Sequence, residues 1–254
     1  MTKVLVSGAL GRMGRTVAGA VKNDSELELV AVVDIFPGEV EGLKVETDLN
    51  SAIDLHKPDV MVDFTRPDSV FANVITALEK KVSPVVGTTG LSDEAKEKIR
   101  AAAEKNNTPA FIAPNFALGA VLMMLTAQKI AKYMPDVEII ELHHDKKLDA
   151  PSGTAELTAK VIAEVRAAHR QGNPDEVEKL EHARGADYEG MRIHSVRLPG
   201  YVAHQEVIFG GLGQTLTIRH DSTGRDSFMP GVLLACKKVR GLTGLTIGLD
   251  KILD

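Results

Sequence analysis

Strand-like and helix-like segments alternate through the first 116 residues, and this alternation restricts the fold more than any other feature of the chain. Residues 3–7 form a short β-branched run that ends at Gly8, and residues 11–21 follow with Met13, Val17, Ala20 and Val21 at helical spacing. Further strands are predicted over 27–33, 59–64, 82–86 and 109–113, with helices over 67–80 and 92–106. Ser92 is placed to cap the last of these, with Asp93 and Glu94 in its first turn. Such an order builds parallel βαβ units with helices on both faces of one sheet.

The pattern changes after residue 116. Residues 118–133 read as a long apolar helix, 137–143 as a strand and 154–169 as a helix with Leu157, Val161, Ile162 and Val165 on one face. Residues 171–179 are polar and loop-like. Three strand-like runs then follow closely, over 192–198, 202–209 and 214–220, the spacing of an antiparallel sheet. A final helix is predicted over 225–240. The fold class is therefore α/β. A Rossmann-like dinucleotide-binding domain over 1–116 is followed by an α+β domain over 117–221 with a mixed or antiparallel sheet.

Gly8-Ala9-Leu10-Gly11-Arg12-Met13-Gly14 joins the first strand to the first helix. Glycines in this place let the backbone approach a pyrophosphate lying on the helix N-terminus. The spacing G-x-x-G-x-x-G is less common than G-x-G-x-x-G, and a tight structural turn is the plain alternative. Context favours the dinucleotide: a strand precedes, a helix follows, and Asp34 stands twenty residues beyond Gly14 at the end of the second strand. A carboxylate there accepts from the adenosine ribose hydroxyl. It also repels a 2′-phosphate, by roughly 4 kcal/mol at about 4 Å and an effective dielectric near 20. Ile35-Phe36-Pro37-Gly38 supplies no compensating cation, so NADH is the expected cofactor, while nearby Arg12 leaves NADPH use open. Gly87-Thr88-Thr89-Gly90 and Ala113-Pro114-Asn115-Phe116 follow later strands, where parallel sheets bind ligands, and both can reach a nicotinamide carboxamide. Phe64-Thr65-Arg66-Pro67 can line the same crevice.

The second domain carries Glu141-Leu142-His143-His144-Asp145-Lys146-Lys147-Leu148-Asp149-Ala150-Pro151-Ser152-Gly153-Thr154-Ala155. Two imidazoles and an ammonium stand just ahead of a helix start, whose unpaired N–H groups attract anions. His143, His144, Lys147 and the Ser152-Gly153-Thr154 turn can hold a multiply negative small molecule and supply protons to it. Neighbouring strand residues point to opposite faces, so the two histidines are expected to split their roles. No cysteine joins them, and a zinc site is not expected. The remaining histidines, His56, His169, His182, His194, His204 and His220, are scattered and take no role.

Composition narrows the partners. Net charge is −5 and aromatic residues make up 4%, without tryptophan, which leaves neither a basic footprint nor stacking platforms for nucleic acid. Apolar runs of membrane length and a signal-peptide core are lacking, so a cytoplasmic location without membrane association is expected. Cys236, the single cysteine, reads as a small buried hydrophobe.

The run from Glu141 to Ala155 closely resembles the central motif of the 4-hydroxy-tetrahydrodipicolinate (dihydrodipicolinate) reductase family of lysine and diaminopimelate biosynthesis. Gly8 to Gly14, Asp63-Phe64-Thr65, Gly87 to Gly90 and Asn115-Phe116 fall where that family has them, so the resemblance spans essentially the whole chain. It implies His143 as proton donor and acceptor, Lys147 as proton donor, and His144 as a contact to a substrate carboxylate. Gly153 and Thr154 would hold a carboxylate. Gly8 to Met13, Asp34, Gly87 to Thr89 and Ala113 to Phe116 would bind the dinucleotide. It further implies a cyclic dicarboxylate substrate, closure of the two domains over the bound pair, a homotetramer joined through the substrate-domain sheets, and a C-terminal segment, residues 222–254, that packs back on the first domain. Arg225 matches a family arginine whose role is left open. Two departures stand out: Pro114 replaces a usual small residue and stiffens its loop, and no arginine follows Asp34. The competing readings are another two-domain dehydrogenase, acting on an amino acid or a sugar, and a nucleotide-sensing module without catalysis.

Overall fold

Val4, Leu5 and Val6 are apolar without alternation, the composition of a strand covered on both faces. They lie in β1 (Thr2–Ser7) of the computed structural model, which describes residues 1–167 and 170–253. The chain divides into two units, Met1–Leu118 with Arg225–Asp254, and Gly119–Gly224.

In the first unit, β1 leads through the glycine turn into α1 (Arg12–Lys22) and then β2 (Leu27–Val33). A two-stranded ribbon, β3 (Glu39–Val40) and β4 (Leu43–Lys44), precedes α2 (Leu49–His56). Next come β5 (Val60–Asp63), α3 (Val70–Glu79), β6 (Ser83–Val86), α4 (Asp93–Asn106) and β7 (Ala110–Ile112). Ser92 caps α4 as expected, its side chain accepting from the Ala95 N–H at 3.1 Å. The sheet order is β13-β7-β6-β5-β1-β2, and every pairing in it is parallel. β1 lies between β2 and β5, so the chain leaves it first to one side and later to the other. That reversal opens a crevice at the strands' carboxyl ends. Leu5, Met61, Val74, Leu78, Val86 and Ile99 are part of a continuous core on one face of this sheet.

The second unit contains α5 (Leu118–Ala131), β8 (Asp136–His143), α6 (Gly153–Ala163), β9 (Ala186–Tyr188), β10 (Met191–Arg197), β11 (Ala203–Gly211) and β12 (Gln214–Ser222). Its sheet runs β12-β11-β8-β10-β9 and is mixed. β11 is antiparallel to both β8 and β12, but β10 lies parallel to β8. The fully antiparallel arrangement suggested by closely spaced runs is thus corrected. The segment between β10 and β11, including Pro199 and Gly200, carries the chain past β8 instead of folding as a hairpin. Val137, Ile139, Val207 and Phe209 pack on Met123, Ala127, Ala159 and Ile162 of the two helices. Each large apolar side chain so buried stabilises the unit by roughly 1.5–3 kcal/mol. α6 ends at Ala163, short of the predicted 169, and His169 lies outside the described residues.

The chain then returns to the first unit as α7 (Met229–Lys238) and β13 (Leu245–Ile247), which pairs with β7. A short 3-10 turn over Arg225–Phe228 replaces the start of the single helix predicted there. Cys236 is completely buried in α7, and burial pushes its thiol up to about 12. No helix of the described residues is long and apolar enough to cross a membrane.

Gly14 gives this architecture a sharp steric test. A Cβ there would be driven into the Gly8 carbonyl and against Ala9. Gly14→Ala is expected to destabilise the protein by about 1–3 kcal/mol, the usual range for overpacking a rigid site. Urea melting checks this, and an unchanged midpoint would show that the turn can yield.

Candidate active site

The glycine turn in the first unit is built from main-chain contacts. Gly8 has φ of +79°, a conformation that penalises any Cβ. The Gly8 and Ala9 N–H groups both donate to the Val33 carbonyl, at 2.9 and 3.0 Å, and the Gly11 N–H donates to the Gly8 carbonyl at 3.1 Å. Gly11 is the N-cap of α1 and offers no side-chain cap to the first N–H groups of the helix. Exposed Gly11 and Arg12 leave this helix start open. A cradle of this kind, where Cβ atoms are excluded and helix N–H groups lack a side-chain acceptor, fits the pyrophosphate of a dinucleotide.

Asp34, just past β2, is tied to the same turn. One carboxylate oxygen accepts from the Leu10 N–H at 2.9 Å and the other from the Ile35 N–H at 2.8 Å. The carboxylate is thereby fixed beside the glycines, with Ile35 and Phe36 largely exposed next to it.

The three remaining loops of the first unit follow β5, β6 and β7 and are joined to one another. The Gly87 N–H donates to the Asp63 carbonyl at 2.9 Å, and the Ala113 N–H to the Val86 carbonyl at 3.1 Å. A Cβ at Gly87 would strike the Phe64 ring, and one at Gly8 the Phe64 carbonyl. The Phe64 and Phe116 rings lie 5.9 Å apart and those of Phe111 and Phe116 6.1 Å apart, within the range of favourable tilted pairs. Thr88 is buried, whereas Thr89 and Pro114 are exposed, and Asn115 accepts from the Ala117 N–H at 2.8 Å.

In the second unit, β8 ends at His143. Residues two apart on a strand share a face, which sets Glu141 beside His143. Glu141 is completely buried and lies 2.5 Å from His143 Nδ1. Arg197, at the end of β10, grips both oxygens of that carboxylate, at 2.6 and 2.9 Å. It also donates to the Asp149 carbonyl at 2.8 Å, and the Ser152 N–H donates to Glu141 at 3.3 Å. Burial alone would raise the Glu141 carboxyl, but hydrogen bonds from His143 and Arg197 overcome that and hold it at about 2. An ionised carboxylate accepts only, so Nδ1 of His143 carries a proton and Nε2 is the nitrogen left for chemistry.

His144 lies outside the strand, on an exposed turn in which the Lys147 N–H donates to its carbonyl at 3.2 Å. The expectation that the two histidines alternate across one strand therefore does not apply. Lys147 Nζ is paired with both oxygens of Asp149, at 2.7 and 2.8 Å, and its hydrogen bond holds the Asp149 carboxyl below the usual range. Ser152 is buried and its hydroxyl caps α6 by accepting from the Ala155 N–H at 3.2 Å. Gly153 is exposed at the first turn of that helix, followed by half-buried Thr154.

Sequence reasoning passed over Arg197 and gave no separate role to Glu141 and Asp63. The i, i+2 spacing of Glu141 and His143 on a predicted strand was a usable signal. Arg197, fifty-six residues from Glu141, had none.

Known proteins share this organisation along the full chain. The description "Dihydrodipicolinate reductase, N-terminus" matches residues 2–116, and "Dihydrodipicolinate reductase, C-terminus" matches 119–253. The 4-hydroxy-tetrahydrodipicolinate reductase of Listeria welshimeri is 56% identical over 99% of this chain and 100% of its own. That of Halalkalibacterium halodurans is 53% identical over 100% of both. The dipicolinate-bound dihydrodipicolinate reductase from Paenisporosarcina sp. TG-14 superposes with a TM-score of 0.93 at 49% identity over 100% of both chains. By both halves and over its whole length, the chain belongs to the dihydrodipicolinate reductase family.

Proposed function

We propose that the protein reduces 4-hydroxy-tetrahydrodipicolinate to tetrahydrodipicolinate with loss of water, using NAD(P)H, in lysine and diaminopimelate biosynthesis. One observation carries the reading: the buried Glu141–Arg197 pair that presents His143 beside an anion-attracting helix start, in a chain similar to these reductases from end to end. The Paenisporosarcina relative is described as dipicolinate-bound, and dipicolinate is a ring bearing two carboxylates.

The first unit would hold the cofactor by Gly8, Ala9, Leu10, Gly11, Arg12 and Met13 at the pyrophosphate and by Asp34 at the adenosine ribose. Gly87, Thr88 and Thr89 with Ala113, Pro114, Asn115 and Phe116 would hold the nicotinamide end. The reduced nicotinamide, when bound, supplies the hydride. In the second unit, Gly153 and Thr154 would receive one substrate carboxylate on their N–H and hydroxyl groups, with Ser152 fixing the turn, and His144 would meet a carboxylate from the exposed loop. Lys147 would exchange Asp149 for the substrate and give a proton as negative charge develops toward the ring nitrogen. His143 would stabilise that charge and exchange a proton through Nε2. Fixing both carboxylates supplies orientation, which lowers the barrier without new chemistry.

A homotetramer fits the second unit's sheet. On the face turned away from α5 and α6, Ile140, Leu142, Val196 and Ile208 are only half buried.

Three outcomes follow. With freshly made dihydrodipicolinate synthase product and NADH absorbance as readout, Lys147→Ala is expected to lower kcat by about 10²–10⁴-fold. NADH affinity should stay near wild type, and activity within a few-fold of wild type would remove Lys147 from the chemistry. Asp34→Arg should weaken both cofactors, because the Leu10 N–H loses its acceptor, yet shift the NADPH/NADH ratio of kcat/KM upward by about ten-fold; a constant ratio would detach Asp34 from the ribose. Ile140→Arg should yield smaller species in sedimentation, and an unaltered mass would place the subunit contacts elsewhere.

A further inference from the structure

Asp63, the last residue of β5, is completely buried, yet its carboxylate is surrounded by neutral donors. One oxygen accepts from the Thr65 N–H at 3.0 Å, the Thr65 hydroxyl at 2.7 Å and the Thr88 hydroxyl at 2.8 Å. The other accepts from the Asn73 amide of α3 at 2.9 Å. Its main-chain carbonyl meanwhile receives the Gly87 N–H at 2.9 Å. This single residue therefore ties the loop after β5, the loop after β6 and the helix between them.

The chemistry of that shell selects a carboxylate. Each donor hydrogen needs a lone pair, and an ionised carboxylate has about four and no hydrogen of its own. Asparagine would set an NH2 group against the Asn73 amide in place of an oxygen, and Asn73 would have to turn its own oxygen inward to match it. Burying a carboxylate without a cation beside it is costly, and this arrangement sits at the end of a strand that is paired on both sides. What it secures is the placement of Thr65 and Thr88. Thr65 borders Gly8, Thr88 follows Gly87, and Gly87 is packed so closely on the Phe64 ring that a Cβ there would strike it.

We propose that Asp63 is a positioning residue for the nicotinamide end of the cofactor, acting through Thr65, Thr88 and the Gly87–Thr89 backbone. This rests on the reading that residues 87–89 face the nicotinamide. The glycine turn and Asp34 have hydrogen bonds of their own, and Thr65 meets that turn by its methyl group beside Gly8, so the adenosine and pyrophosphate end should depend on Asp63 far less than the nicotinamide end.

Calorimetric binding of NADH and of ADP-ribose, which lacks the nicotinamide, separates these effects. Asp63→Asn is expected to weaken NADH by about ten-fold while ADP-ribose stays within about two-fold of wild type. Thr88→Val and Asn73→Ala each remove one donor and keep the carboxylate, so they serve even where Asp63→Asn does not fold; each should weaken NADH alone, by about three-fold. Equal losses for both ligands, or no loss of NADH affinity in any variant, would overturn the proposal. Thr89→Trp tests the underlying reading, because Thr89 is exposed and the donors to the Asp63 carboxylate are Thr65, Thr88 and Asn73. If Thr89→Trp binds NADH like wild type, the loop does not face the nicotinamide and the proposal goes with it. If Thr89→Trp weakens NADH and the other three variants do not, Asp63 alone loses its role.

Discussion

The end of β8 in the second unit, where His143 stands, depends on a buried ion pair. Glu141 has no access to water, so its charge survives only because Arg197 binds both oxygens and His143 and Ser152 bind them as well. Removing one member would strand a buried charge, which usually costs several kcal/mol. The cluster does more than satisfy itself. Arg197 also reaches the Asp149 carbonyl, so one guanidinium joins the end of β10, the end of β8 and the loop that carries Lys147. His143 is fixed in direction and in tautomer by the same carboxylate.

The first unit solves a related problem with few charges. Its turn after β1 is ordered by N–H groups, carbonyls and the absence of Cβ atoms at Gly8 and Gly14. A phosphate can be bound by such a surface because the helix start is already positive and need not recruit a lysine. Of the acidic groups at this sheet edge, Asp34 is bound by backbone donors and Asp63 by neutral side chains and a backbone N–H. The two units thus present unlike environments, one of oriented dipoles and one of paired ions.

Much of this was legible before any coordinates. Periodicity located β1, α1, β2 and α4 to within a residue or two, since each has either uninterrupted apolar residues or a capped amphipathic pattern. The motif from Glu141 to Ala155 identified the polar loop and the start of α6. Elements that depend on distant partners were less readable. β13 is three residues long and exists because β7 accepts it. α2, with only Ala52 and Ile53 buried, has a weak apolar face, although Asp48 capping the Ser51 N–H was a usable mark. β10 reads like the first strand of a meander, and nothing local to it says that it runs parallel to β8. Arg197 takes its meaning from that register, which pairs it with His143.

Asp34 illustrates why one residue can resist replacement for two reasons. A ribose contact by itself could be redesigned by exchanging the carboxylate for a cation, since the loop of Ile35 to Gly38 carries no opposing charge. Here the same carboxylate is also the acceptor for the Leu10 N–H inside the glycine turn. An arginine has five donors and no acceptor, so it would leave that N–H unmatched at the place where the pyrophosphate is expected. On the proposed reading, preference for the ribose hydroxyl and order in the glycine turn would be coupled through one side chain. On that reading, a variant built to favour the 2′-phosphate would need another acceptor for the residue 10 N–H, and cofactor preference would be a property of the whole turn and not of position 34 alone.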